Sequence, residues 1–198
     1  MSNVSDIISN RRRWSTIAAA LVLAGAGAAC TTEDPVGPPP TTVVTATDCT
    51  RRGAGVDLHG CDLSNEVLNE QDLSSANLRG TNLSNASLLG ANLDGADLSG
   101  AKLYQAELSG STARNAKFDD ANLEVANLSS STLTSASFKR SSLFQASLLG
   151  AQLQGADLTG ADLTQAETTD ADLSGATLLA TLCPSGSAVS SPATCPPG

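Results

Sequence analysis

The sequence predicts an all-β solenoid: short extended sides joined by tight corners and stacked as repeating units. Three observations predict it. Leu holds 21 of the 25 fifth positions from Leu58 to Leu178. A small residue, usually Ala, stands two positions before it, and Gly or Asn often closes the unit. A fixed period of five fits neither a helix at about 3.6 nor a flat strand at about 2, and a constant self-similar period signals stacked units.

Composition agrees. The 198 residues are 40% hydrophobic, yet only Trp14, Tyr104, Phe118, Phe138 and Phe144 are aromatic. An ordinary globular core uses more rings, because each buries a large area. The net charge of −9 opposes general nucleic-acid binding, which needs a basic surface. One His and no clustered Cys oppose a zinc or iron centre, and no cofactor is expected.

The chain opens on Arg11, Arg12 and Arg13, followed by an uncharged run of 13 residues from Ile17 to Ala29. That run is too short to span a bilayer as a helix, and its anatomy is that of a secretory signal peptide at 1–29. Gly27-Ala28-Ala29-Cys30 resembles the lipobox of bacterial lipoproteins, with Gly27 where an aliphatic residue is usual. The resemblance implies that Cys30 is lipidated and begins the mature chain. The alternative is cleavage at Ala26-Gly27-Ala28, which leaves a soluble secreted protein. Asn10 to Trp14 faintly resembles a twin-arginine export signal. Removing residues 1–29 takes away Asp6 and the three arginines, so the remaining charge is −11.

Residues 30–48 hold four prolines and read as an extended tether, and 49–55 as an N-terminal cap. The repeat runs over 56–182 and contains 25 centres, of which 21 are Leu and two are Phe (Phe118 and Phe138). Ala113 and Thr168 are the exceptions. Two residues before the centre, 17 of 25 positions are Ala. Alternate residues of an extended segment share a side, so centre and small slot both face inward and the polar residue between them faces out. The closing position is Gly ten times and Asn at 65, 85 and 115, residues that tolerate the positive φ of a type II corner.

Ala91-Asn92-Leu93-Asp94-Gly95, Ala96-Asp97-Leu98-Ser99-Gly100 and Ala161-Asp162-Leu163-Thr164-Gln165 resemble the motif of the pentapeptide-repeat family, Ala-Asp/Asn-Leu-x-x. The resemblance implies a right-handed quadrilateral β-helix with four units per coil. On that basis the repeat makes about six coils, roughly 30 Å tall at ~4.8 Å per strand. Phe118 and Phe138 are then 20 residues apart and should stack in adjacent coils, with Ala113 making room for the ring.

Cys49, Cys61, Cys183 and Cys195 form two pairs, each 12 apart, one at either end of the repeat. Four cysteines allow three connectivities. We expect Cys49–Cys61 and Cys183–Cys195, stapling a cap over each open end, with 183–198 as the C-terminal loop cap. Loops of this size stabilise by ~3 kcal/mol. Four free buried thiols are the alternative.

Catalytic chemistry is not expected. His59 is alone, the carboxylates lie outward, and no EF-hand spacing accompanies Asp119-Asp120 or Asp170 and Asp172. Tyr104 and Phe144 share one outer face, as do Leu89 and Leu149, and both pairs are candidate interaction surfaces. The reading is a non-enzymatic, lipid-anchored scaffold at the bacterial cell envelope with an unknown protein partner and no nucleic acid. The alternative that the family resemblance implies is an acidic DNA-mimic rod of the kind that protects gyrase, a dimer joined through a C-terminal helix. The export signal, the cysteines and the Pro-rich C-terminal residues, unsuited to a dimerising helix, oppose it.

Overall fold

A computed structural model describes residues 47–186 and the backbone of 188–189. From Asp57 to Leu182 the chain winds as a stacked coil. Each of 22 parallel bridges joins a residue to the one 20 positions on, from Asp57↔Asn77 to Asp162↔Leu182. Four five-residue units therefore make one turn of the coil. Every side is so short that it pairs through one bridging residue, which is why continuous strands are nearly absent.

The backbone groups are accounted for almost completely, as burial demands. Leu58 N–H donates to Asn77 C=O (2.8 Å), Asn77 N–H to Val56 C=O (2.9 Å) and Gly60 N–H to Arg79 C=O (2.9 Å). Cys61 N–H closes the corner on Leu58 C=O (3.1 Å). The same four bonds recur along the ladder and leave one N–H per unit, that of the residue after the centre. In many units an Asp or Asn before the centre accepts it: Ser64 N–H donates to Asp62 (3.1 Å), Ser74 to Asp72 (3.1 Å) and Asp94 to Asn92 (3.1 Å). This local side-chain bond is the physical reason for Asp/Asn in the motif. Each fifth residue from Gly55 to Ala180 has φ between 55° and 70°, and 15 of these are not Gly.

The core is the stack of centres and small slots. Every centre from Leu58 to Leu163 is buried. Small slots are buried from Ala76 to Ala166, but Glu66 and Gln71 are exposed in the first coil, where no preceding coil covers them. Hydroxyls that replace Ala in the slot turn onto carbonyls: Thr81 donates to Leu58 C=O (3.0 Å), Ser131 to Leu128 C=O (2.6 Å) and Ser141 to Phe138 C=O (2.8 Å). Ser111 Oγ, also buried, has no partner.

The described ends differ. At the N-terminal end Cys49 packs against the core and is bonded to Cys61, Cα–Cα 5.6 Å. Arg52 donates to Cys49 C=O (2.8 Å) and pairs with Glu66 (3.7 Å). At the C-terminal end β1 (Thr181–Leu182) continues the parallel ladder, the chain reverses through Cys183–Gly186, and β2 (Ala188–Val189) pairs antiparallel with it. Period and composition gave no sign of this short hairpin, because it lies beyond the last repeat. Thr168, Ala171, Leu173 and Ala176 of the last coil are only half-buried.

Candidate interaction faces

The coil presents four outer faces, each named here by its centres. The first runs from 58 to 178, the second from 63 to 183, the third from 68 to 168 and the fourth from 73 to 173. Positions 20 apart stand one coil apart on the same face, so outward side chains form columns.

The first face is laced by ion pairs between coils. Arg140 grips Asp120 with two parallel bonds, Nε–Oδ1 at 2.7 Å and Nη2–Oδ2 at 2.6 Å. Arg79–Asp97 (3.3 Å) and Lys139–Asp157 (3.2 Å) join neighbouring coils. Hydrogen bonding from Arg140 holds the Asp120 carboxyl below the usual carboxylate range. Asp57 is likewise lowered, chiefly by its bond from His59 (2.9 Å). His59 also meets the Thr47 hydroxyl (3.3 Å), so the lone His belongs to a small polar contact at the first corner.

Asp119, Asp120 and Asp172 are engaged within the coil. Asp119 accepts Ser137 O–H and Lys139 N–H, while Asp120 holds Arg140. Asp172 accepts Ser174 N–H (2.9 Å) and Gln154 N–H (2.7 Å). Its carboxyl lies below the ordinary range, first because of the Ser174 N–H. Among the described residues no three His, Cys, Asp or Glu group so as to hold a metal ion. No helix among them is long and apolar enough to cross a membrane.

The second face carries Tyr104, 41% exposed, and half-buried Phe144, two coils apart. Glu124 between them accepts the Ser142 hydroxyl (3.1 Å). Exposed Val125 sits at the corner beside Glu124 at φ 60°, and its N–H donates to Phe144 C=O (2.9 Å). The third face carries Leu89 and Leu149, each 40% exposed, and Val67 at 71%. Sequence reasoning did not single out Val67 or Val125. Their place in the period, one before a centre and at a corner, is the signal that marks them as outward.

Phe118 and Phe138 lie inside the first face, fully buried and stacked, ring centroids 4.8 Å apart and 4° from parallel. Cys183 is buried on an inward centre and disulfide-bonded, its partner lying outside the described residues. Cys30, Cys195 and the expected signal peptide also fall outside them.

Comparison with known proteins identifies the repeat. The family model "Pentapeptide repeats" matches in 8 copies at residues 54–90, 91–129, 106–145, 121–160 and 156–179. Among solved structures, trypsin-treated QnrB1, a plasmid-mediated fluoroquinolone resistance protein, is 21% identical over 63% of this chain and 75% of that one, TM-score 0.49. The pentapeptide repeat protein Rfr23 from the cyanobacterium Cyanothece 51142 is 25% identical over 63% and 86%, TM-score 0.31. HetL from Nostoc sp. strain PCC 7120, involved in heterocyst differentiation regulation, is 30% identical over 69% and 78%, TM-score 0.22. No curated protein matches the chain. With the family match spanning well over half its length, and 20-residue coils built from five-residue units, the chain belongs to the pentapeptide-repeat family, whose fold is the right-handed quadrilateral β-helix.

Proposed function

We propose that this protein is an exported, lipid-anchored, non-enzymatic rod that presents interaction faces to a protein partner at the bacterial cell envelope. The observation that carries the reading is cysteine usage. Cys49 is bonded to Cys61 and Cys183 is also disulfide-bonded, and structural disulfides persist in oxidising compartments rather than in the cytosol. The lipobox-like Gly27-Ala28-Ala29-Cys30 and the Pro/Thr-rich residues after it supply an anchor and a tether that precede the rod in sequence. Dual acylation gives stable membrane attachment where one chain does not.

On this reading the rod has about six coils, with both ends closed by disulfide-stapled segments, Cys49–Cys61 and Cys183–Cys195. The carboxylates described above are engaged in corner bonds and ion pairs, which supports a surface rather than a reaction centre.

Membrane fractionation of cells expressing the full chain and its Cys30→Ala variant tests the location. The wild type should fractionate with membranes and the variant should not. Uncleaved protein in the cytoplasm would overturn the reading and favour the acidic DNA-mimic alternative. A soluble exported wild type would favour the secreted form. Non-reduced peptide mapping should join Cys183 to Cys195.

A further inference from the structure

We propose that the third face is the docking surface for a positively charged α-helix of a partner protein. This deepens the scaffold reading and rests on it only for the existence of a partner. Leu89 and Leu149 hold the same position in their units, 60 residues and so three coils apart. At about 4.8 Å per coil the two leucines stand about 14 Å apart in one column. Between them the column carries only Ser109 and Ser129, and the adjoining corners are Gly110 and Ser130. This is a smooth floor between two leucine ridges. A helix is about 5 Å across at its backbone and about 10–12 Å with its side chains, so a helix laid along the coils seats a side of small residues over the two-coil gap and packs its flanking side chains on the two leucines.

The floor is prepared for covering. Ser109 O–H donates to Ser129 C=O (3.1 Å), and the Ser129 and Ser147 hydroxyls bond each other (2.9 Å). These groups find partners within the face, so a docked helix strands no donor or acceptor. Asn69 accepts the Leu89 N–H (3.1 Å) and the Ser87 hydroxyl (2.6 Å), which fixes one ridge.

Charge identifies the occupant. The outward positions of this face carry Glu66, Glu70, Glu107, Glu167 and Asp170 and no Lys or Arg. Arg52 pairs with Glu66, whereas the first face supplies its own cations to its carboxylates. Glu107 is exposed beside the floor. The missing counter-charges are those a Lys- or Arg-flanked helix brings.

The test is fluorescence anisotropy on the full chain with a labelled Lys/Ala/Leu peptide of about 20 residues, long enough to be helical. The control peptide has the same charge and is broken by two prolines. At about 0.15 M salt, where exposed charges are screened beyond ~8 Å, the helical peptide should bind at least about tenfold tighter, a 1.4 kcal/mol difference. The double variant Ser109→Leu/Ser129→Leu raises the floor to the ridges and should weaken binding about tenfold. Leu already occupies this column at 89 and 149, so the variant keeps the fold. The matching pair on the first face, Ser99→Leu/Thr159→Leu, should leave binding unchanged. Equal affinity for both peptides, or indifference to Ser109→Leu/Ser129→Leu, overturns the proposal. Fractionation of Cys30→Ala is independent of these titrations, so failure of docking and failure of the location reading are read separately.

Discussion

The Phe118 and Phe138 rings stack in adjacent coils, centroids 4.8 Å apart and nearly parallel, at two centres where the repeat otherwise places Leu. The centre just before Phe118 is Ala113, also fully buried. Close packing requires that extra ring volume be offset nearby, and Ala113 is the shortened side chain available. A double-mutant cycle of Phe118→Leu and Phe138→Leu should give a coupling of about 0.5–1.5 kcal/mol in denaturant unfolding. Ala113→Leu alone should destabilise by about 1–3 kcal/mol through overpacking. The same change should be milder in the Phe118→Leu background. Strict additivity would refute the volume exchange.

Val125 is the β-branched residue among corners at positive φ. Such a residue meets its own carbonyl in that conformation, a cost of roughly 1–2 kcal/mol. Asn tolerates it and already serves at Asn65, Asn85 and Asn115. Val125→Asn should raise the thermal midpoint, with a gain of about 1 kcal/mol. A lower midpoint would show that Val125 packs usefully against Phe144.

Ser111 offers a second stabilising change. Its hydroxyl is buried without a partner, whereas Ser131 and Ser141 donate to carbonyls three residues back. An unsatisfied buried hydroxyl costs about 1–3 kcal/mol. Ser111→Ala should therefore stabilise, while Ser131→Ala and Ser141→Ala should each lose about 1 kcal/mol. Urea midpoints of the three variants decide it, and a common sign would refute the distinction.

The corner aspartates make stability sensitive to acid. The Asp62 and Asp72 carboxyls are held below the ordinary carboxylate range, first by hydrogen bonds from Ser64 and Ser74. A carboxylate lowered in the folded state contributes stability present above its unfolded pKa and lost as pH falls through the folded value. Stability should hold as pH falls toward the ordinary carboxylate range and decline below it. Asp72→Asn keeps the acceptor oxygen and should flatten that decline, whereas Asp72→Ala should lower the thermal midpoint at neutral pH. Thermal melts from pH 7 to pH 2 check both.

Much of this molecule was legible from its residues because each unit obeys the same local physics. A Leu that must be buried, a methyl-sized slot, an Asp or Asn that accepts the spare N–H and a corner that tolerates positive φ all lie within five residues. The period therefore identifies the core, down to Phe118, Phe138 and Cys183. Local physics does not state how many units close a coil. That number is set by the ladder, where Asp57 meets Asn77 and each later unit repeats the 20-residue offset. Everything on the outer faces depends on it. Arg140 reaches Asp120, and Leu89 and Leu149 bracket Ser109 and Ser129, because the offset brings residues distant in sequence into one column. The reversal into β2 also belongs to tertiary structure, since it answers an unpaired edge that exists only once the last coil has formed. The sequence alone determined what lies inside; the stacking of the coils decided which outward side chains meet.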